Sequence, residues 1–172
     1  MADIPAFVAL GANLEDPVNQ VRRALVELAC LPRTRLTAQS SLYLSKPVGH
    51  ARQPDYVNAV AALRTRLTPR GLLEHLLEIE TRHGRTRAFK NAPRTLDLDL
   101  LLYGGLVMHE PGLSLPHPRM RERAFVLLPL AELDPDCQIP GHGPVHRCLA
   151  PLDIQDLTRL PDSRQQAPAL PL

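Results

Sequence analysis

The sequence predicts an α+β fold: a ferredoxin-like βαββαβ sandwich, helices on one face of the sheet, with additional C-terminal elements. Three features carry that prediction. Two stretches with helical spacing of apolar residues, each opened by a proline, alternate with short apolar segments of strand length. Their order is strand, helix, strand, strand, helix, strand. No internal repeat and no linker divides the chain, so a single domain is expected over residues 1–160. Residues 161–172 are polar and rich in proline and are expected to be a disordered tail.

Ala6–Leu10 is the first strand and gives way to a turn at Gly11–Leu14. That turn lacks the glycines of a dinucleotide fingerprint and the Gly-Lys-Ser/Thr of a P-loop. Pro17 opens a helix to about Leu31, with Val18, Val21, Ala24, Leu25 and Leu28 along one side, a stripe that core packing explains. Pro32 stops it, and Leu36–Leu44 reads as one strand with a polar side of Ser, Thr and Gln. Residues 45–55 form a loop too long for a tight hairpin, and Tyr56–Leu63 follows as a strand with Tyr56, Asn58 and Val60 on one face. Tyr56, one of few aromatics, is equally open to a core role and to stacking on a flat ligand. Thr68 caps a helix that Pro69 begins and Gly84 ends, with Glu80 near its C-terminus, where a carboxylate opposes the helix dipole. Residues 96–102 make the fourth strand. Beyond it come a short strand at Leu106–Met108, a cation-rich loop over 113–123, and a helix over Ala124–Leu133 that contains Pro129. His117, held between two prolines, is presented from an extended loop. After Asp134 the periodicity fades.

Composition limits the function. The 172 residues are 44% hydrophobic and 22% charged, which describes a globular chain able to bury a core. A formal charge of +2 is too mild to argue for nucleic acid. Cys30, Cys137 and Cys148 are odd in number and lack CxxC spacing, so neither a disulfide framework nor a zinc site is indicated, and the reducing cytoplasm fits. No apolar stretch approaches the roughly 18–20 residues that span a bilayer, and no membrane partner is expected.

The chemistry concentrates in Pro93-Arg94-Thr95-Leu96-Asp97-Leu98-Asp99-Leu100. On a strand, alternation sends Asp97 and Asp99 to one face, roughly 6.5–7 Å apart, and Leu96, Leu98 and Leu100 to the other. An isolated Asp-x-Asp is most often a solvated face. Here the apolar run continues to Leu102, so the two carboxylates would be costly to bury without a cation, and hard oxygens favour magnesium over zinc. Residues 82–94 hold Arg82, Arg85, Arg87, Lys90 and Arg94, a cationic segment leading directly into the carboxylate pair. That juxtaposition suits a nucleoside triphosphate with its metal.

Taken together, Ala9–Leu14, Gln53–Asn58, Gly84–Arg87, Pro93–Asp99, Leu115–Pro118 and Arg123–Phe125 resemble the 6-hydroxymethyl-7,8-dihydropterin pyrophosphokinases, over about Phe7 to Pro140. The resemblance implies transfer of diphosphate from ATP to the pterin alcohol in folate biosynthesis, with AMP released. It implies that Asp97 and Asp99 hold two magnesium ions, and that Arg85 and Arg94 assist transfer. Tyr56 and Phe125 would sandwich the pterin, with Asn58 on its polar edge and Pro47 and Val48 beside it. Glu80, Arg87, Arg94, Leu100, His117 and Arg123 would line the ATP side, and residues 46–55 and 84–93 would be lids. A cytoplasmic monomer with no nucleic-acid partner is expected. Asn91 stands where the family often has Trp, and Pro118 where an aromatic commonly follows the histidine.

Two other readings fit parts of the pattern. A glycosyltransferase also uses Asp-x-Asp to hold a metal, but usually on a larger α/β domain. A ferredoxin-like RNA-binding module would expose aromatics on its central strands, whereas Asp97 and Asp99 would repel phosphates.

Overall fold

The computed structural model describes residues 2–47, 53–84 and 95–162. Val48, Arg85, Arg87 and Arg94, and the segment from residue 163 onward, lie outside the described residues.

Strand β1 (Ile4–Ala12) leads into helix α1 (Pro17–Ala29). The helix is capped by Asp16, whose side chain accepts the Asn19 N–H. The expected single strand Leu36–Leu44 is two: β2 (Thr34–Gln39) and β3 (Tyr43–Ser45). The break has a cause. Ser40 still donates its N–H to Val60 C=O at 2.9 Å, but its Oγ accepts the Val60 N–H at 2.9 Å, and the Ser41 N–H and hydroxyl both turn to the Glu132 carboxylate, so side-chain bonds end the ladder there. Strand β4 (Tyr56–Thr65) and helix α2 (Pro69–Arg82) follow, the helix capped by Thr68 Oγ1, which accepts the Gly71 N–H at 3.0 Å.

Strand β5 (Asp97–Tyr103) precedes a hairpin of β6 (Met108–Glu110) and β7 (Leu113–Leu115). The expected strand Leu106–Met108 thus begins only at Met108, and the supposed loop over 113–123 opens with a strand. Helix α3 spans Ala124–Leu133 as expected, Pro129 included. Beyond Asp134 lie a small hairpin of β8 (Gln138–Ile139) and β9 (Gly143–Pro144), helix α4 (Val145–Leu149) and β10 (Thr158–Arg159), elements too short to leave a periodic signal.

The main sheet is antiparallel, ordered β10-β3-β4-β1-β5, with β2 on the same side of β4 as β3. Helices α1 and α2 pack on one face through Val21, Leu28, Leu72, Leu76 and Ile79, which meet Val8, Leu10, Leu63 and Leu98. Each fully buried leucine contributes about 1.5–3 kcal/mol relative to exposure. The other face is not bare. Helix α3 covers it with Val126, Leu127 and Leu130 against Ala9, Val60 and Leu102, so helices lie on both faces rather than one. A bulge between Phe7 and Val8 admits Leu101 as an extra residue in β5, which turns Leu102 into this second core.

Candidate active site

The site forms where the α3 side of the sheet is floored by small residues. In the β1–β5 ladder, Asp99 lies opposite Ala9 and Asp97 opposite Gly11; in the β1–β4 ladder, Gly11 lies opposite Asn58. Ala9 and Gly11 leave the sheet surface low between the carboxylates and the amide. The turn Arg119–Arg123 and the start of α3 close the space above. The result is a cavity of about 340 Å³, lined among others by Gly11, Ser45, Tyr56, Asn58, Asp97, Asp99, Arg123 and Phe125. That volume is of the order that small-molecule sites use.

Alternation holds through the key strands. Leu98 and Leu100 are buried on the α1/α2 face, while Asp97 and Asp99 are half-buried on the other. Arg123 Nη1 stands 3.6 Å from Asp99 Oδ2, and its guanidinium lies 5.7 Å from the centre of the Phe125 ring, so one cation touches both the carboxylate and the aromatic side of the cavity. Asn58 is 4% exposed; its Nδ2 donates to Ser45 Oγ at 2.7 Å and to Tyr43 C=O at 3.3 Å.

The outer edge of β5 gathers other expected residues. Glu80, 2% exposed, accepts the Leu98 N–H at 3.1 Å, so the partner that its position at the helix end called for includes a strand amide. The His117 N–H donates to Leu101 C=O at 2.9 Å. His117 Nδ1 accepts the Arg119 N–H at 3.1 Å, which puts the proton of the neutral ring on Nε2, the atom 3.9 Å from Asp99 Oδ1. Burial, with Arg123 beside it, pushes the His117 pKa down to about 4, so near neutral pH this contact is one between a carboxylate and a neutral imidazole, not an ion pair.

Leu100 stands apart from the other expected site residues: it is 4% exposed and packs in the α1/α2 core, so its side chain is withheld from the cavity. Pro47 ends the described part of its loop and does not line the cavity. Gly11, Ser45, Arg119 and Glu122 line it without having been singled out. Gly11 and Ser45 gain their place from strand register, which the sequence does not display. Arg119 and Glu122 carried a signal, their position two and five residues after His117.

The model of the 7,8-dihydro-6-hydroxymethylpterin-pyrophosphokinase family matches residues 7–135. The chain belongs to this family. It is 48% identical over 155 residues to the 2-amino-4-hydroxy-6-hydroxymethyldihydropteridine pyrophosphokinase of Pseudomonas aeruginosa, covering 90% of this chain and 96% of that one. To the protein of the same name from Haemophilus influenzae it is 47% identical, over 80% of this chain and 86% of the other. Among solved structures, a Plasmodium falciparum HPPK-DHPS superposes with a TM-score of 0.73 at 13% identity, over 91% of this chain; the chain spans 49% of that longer one. A pyrophosphokinase of this family is an ATP-dependent diphosphotransferase, and this one serves folate biosynthesis by passing the diphosphate of ATP to hydroxymethyldihydropterin.

Among the described residues, no helix is long and apolar enough to cross a membrane. Nor do three His, Cys, Asp or Glu converge there in a metal-binding group. Two carboxylates on one strand nonetheless suit magnesium, which is commonly held by one or two carboxylates and completed by substrate phosphates and water.

Proposed function

We propose that the reaction takes place between the Asp97–Asp99 face of β5 and the Tyr56–Asn58–Phe125 cavity, on a ferredoxin-like βαββαβ core occupying residues 1–160. Asp97 and Asp99 hold two magnesium ions, which when bound neutralise charge on the ATP phosphates. Tyr56 and Phe125 stack on the two faces of the pterin, and Asn58 bonds its polar edge. The pterin hydroxymethyl oxygen is thereby aimed at the β-phosphorus, and AMP is the leaving group.

Arg123 offers its charge from the cavity wall, and Arg85, Arg87 and Arg94 add theirs from the segment before β5. Glu80 and His117 hold the outer edge of β5 on the ATP side. His117 acts as a donor through Nε2 rather than as a general base. The protein works as a cytoplasmic monomer with no nucleic-acid partner.

One observation carries this reading: Gly11 has the Asn58 amide across one ladder and the Asp97 carboxylate across the other, which joins the pterin-type and metal-type groups in a single cavity. The test is a pair of variants. Asp97→Ala and Asp99→Ala should each lower turnover by at least about a hundredfold, while pterin affinity stays near that of the parent protein. Normal turnover in either variant would sink the assignment.

A further inference from the structure

His83 has no part in the reaction above, yet its side chain is 0% exposed. It stands at the C-cap of α2, immediately before Gly84, whose φ of 79° takes the chain out of the helix. Its Nδ1 meets Gln20 Oε1 at 2.5 Å and its Nε2 meets Glu27 Oε2 at 3.0 Å, both on α1. The Gln20 amide is oriented by its own Nε2, which donates to Glu15 C=O at 3.2 Å and leaves Oε1 for the ring. Each ring nitrogen therefore faces an acceptor.

Apolar packing holds α2 on the sheet, but it is non-directional and fixes the helix's rotation and height weakly. The ring's directed contacts with Gln20 and Glu27 at the last turn fix both, a neutral ring donating through one nitrogen and a protonated ring through both. One turn earlier, Glu80 accepts the N–H of Leu98, the residue between Asp97 and Asp99.

We propose that His83 is a positioning residue for the carboxylate pair: it fastens the last turn of α2 to α1, and Glu80 carries that fixed position to Leu98 and so to the aim of Asp97 and Asp99. This rests on the reading of those two aspartates as metal-holding. Leucine in place of His83 fills similar space and removes both contacts.

The experiment uses the whole chain, a non-hydrolysable ATP analogue and manganese as the probe, with bound metal followed by electron paramagnetic resonance alongside kcat and KM. His83→Leu should weaken manganese binding about tenfold, the scale on which coupled neighbours act, while pterin affinity is unchanged. His83→Gln, which keeps a donor for Glu27, should recover most of the loss. In a Glu80→Gln background, His83→Leu should add little. Ile139→Ala, a core change in the second core on the α3 side of the sheet, should lower thermal stability without moving manganese binding.

If His83→Leu does not fold, Gln20→Leu removes one of the two contacts from the other side and should weaken manganese in the same direction. Unchanged manganese binding in whichever of these two variants folds, or fully multiplicative effects of His83 and Glu80, would overturn the proposal. If Asp97→Ala binds manganese like the parent protein, the metal-site reading itself falls, and the role of His83 with it.

Discussion

Asn58 commits its amide nitrogen to Ser45: Nδ2 donates to Ser45 Oγ at 2.7 Å, and its second bond runs to Tyr43 C=O at 3.3 Å. With both donors used by the protein, Asn58 offers the cavity its Oδ1, which lies 3.4 Å from where a Cβ on Gly11 would stand. An acceptor in that place selects a ligand edge that carries N–H groups. Ser45→Ala should therefore raise the KM for the pterin about fivefold, the effect of about 1 kcal/mol for one hydrogen bond, with the KM for ATP unmoved. Ser45→Thr should restore it. Steady-state kinetics with each substrate varied in turn checks this.

The aromatic pair should separate in the same assay. Tyr56→Leu removes a stacking surface and should weaken pterin binding about tenfold, near the upper end of what one aromatic contact supplies. Phe125→Leu removes a surface that also carries the Arg123 guanidinium. It should lower kcat as well as pterin affinity, and equal losses in kcat for the two variants would count against the Arg123 role.

Much of this site was legible because its chemistry lies along strands. The period of two in Leu96–Leu102 placed Asp97 and Asp99 on one face and Leu98 and Leu100 on the other, as they stand. The same rule put Tyr56, Asn58 and Val60 together. What the period does not encode is register. The pairing of Gly11 with both Asn58 and Asp97 depends on partners some 45 and 85 residues away, as does the Leu101 bulge that redirects Leu102. Leu100 shows the limit from the other side: its residue type said apolar, and its face, fixed by the same alternation, is the core. Glu80's position at the helix end called for a partner, but no local pattern reveals that this partner includes a strand amide.

His117 gives the folded state an acid liability. Its pKa is pushed down to about 4 by burial, with Arg123 as the next cause, so the unfolded chain takes up the proton first, near the ordinary value of 6.5. The stability associated with the neutral ring is thus complete above about pH 6.5 and is lost as pH falls toward 4. Urea unfolding of the metal-free protein across that window should show a decline that is shallower in His117→Asn. Parallel curves for the two proteins would contradict this.

The thiols should differ in reactivity. Burial, with the Asp134 carboxylate nearby, pushes Cys137 up to about 11, whereas Cys30 is exposed. At pH 8 only about one Cys137 in a thousand is thiolate. Iodoacetamide followed by peptide mass analysis should find Cys30 modified long before Cys137.

The most direct measurement is the identity of the nucleotide product when the purified protein is given ATP, magnesium and 6-hydroxymethyl-7,8-dihydropterin, followed by phosphorus NMR in parent and Asp97→Ala proteins. The geometry predicts AMP formed one for one with pterin diphosphate, dependent on the pterin and lost in the variant. ADP as the pterin-dependent product, or AMP formed undiminished without Asp97, would contradict the assignment of this cavity and its carboxylates to diphosphate transfer.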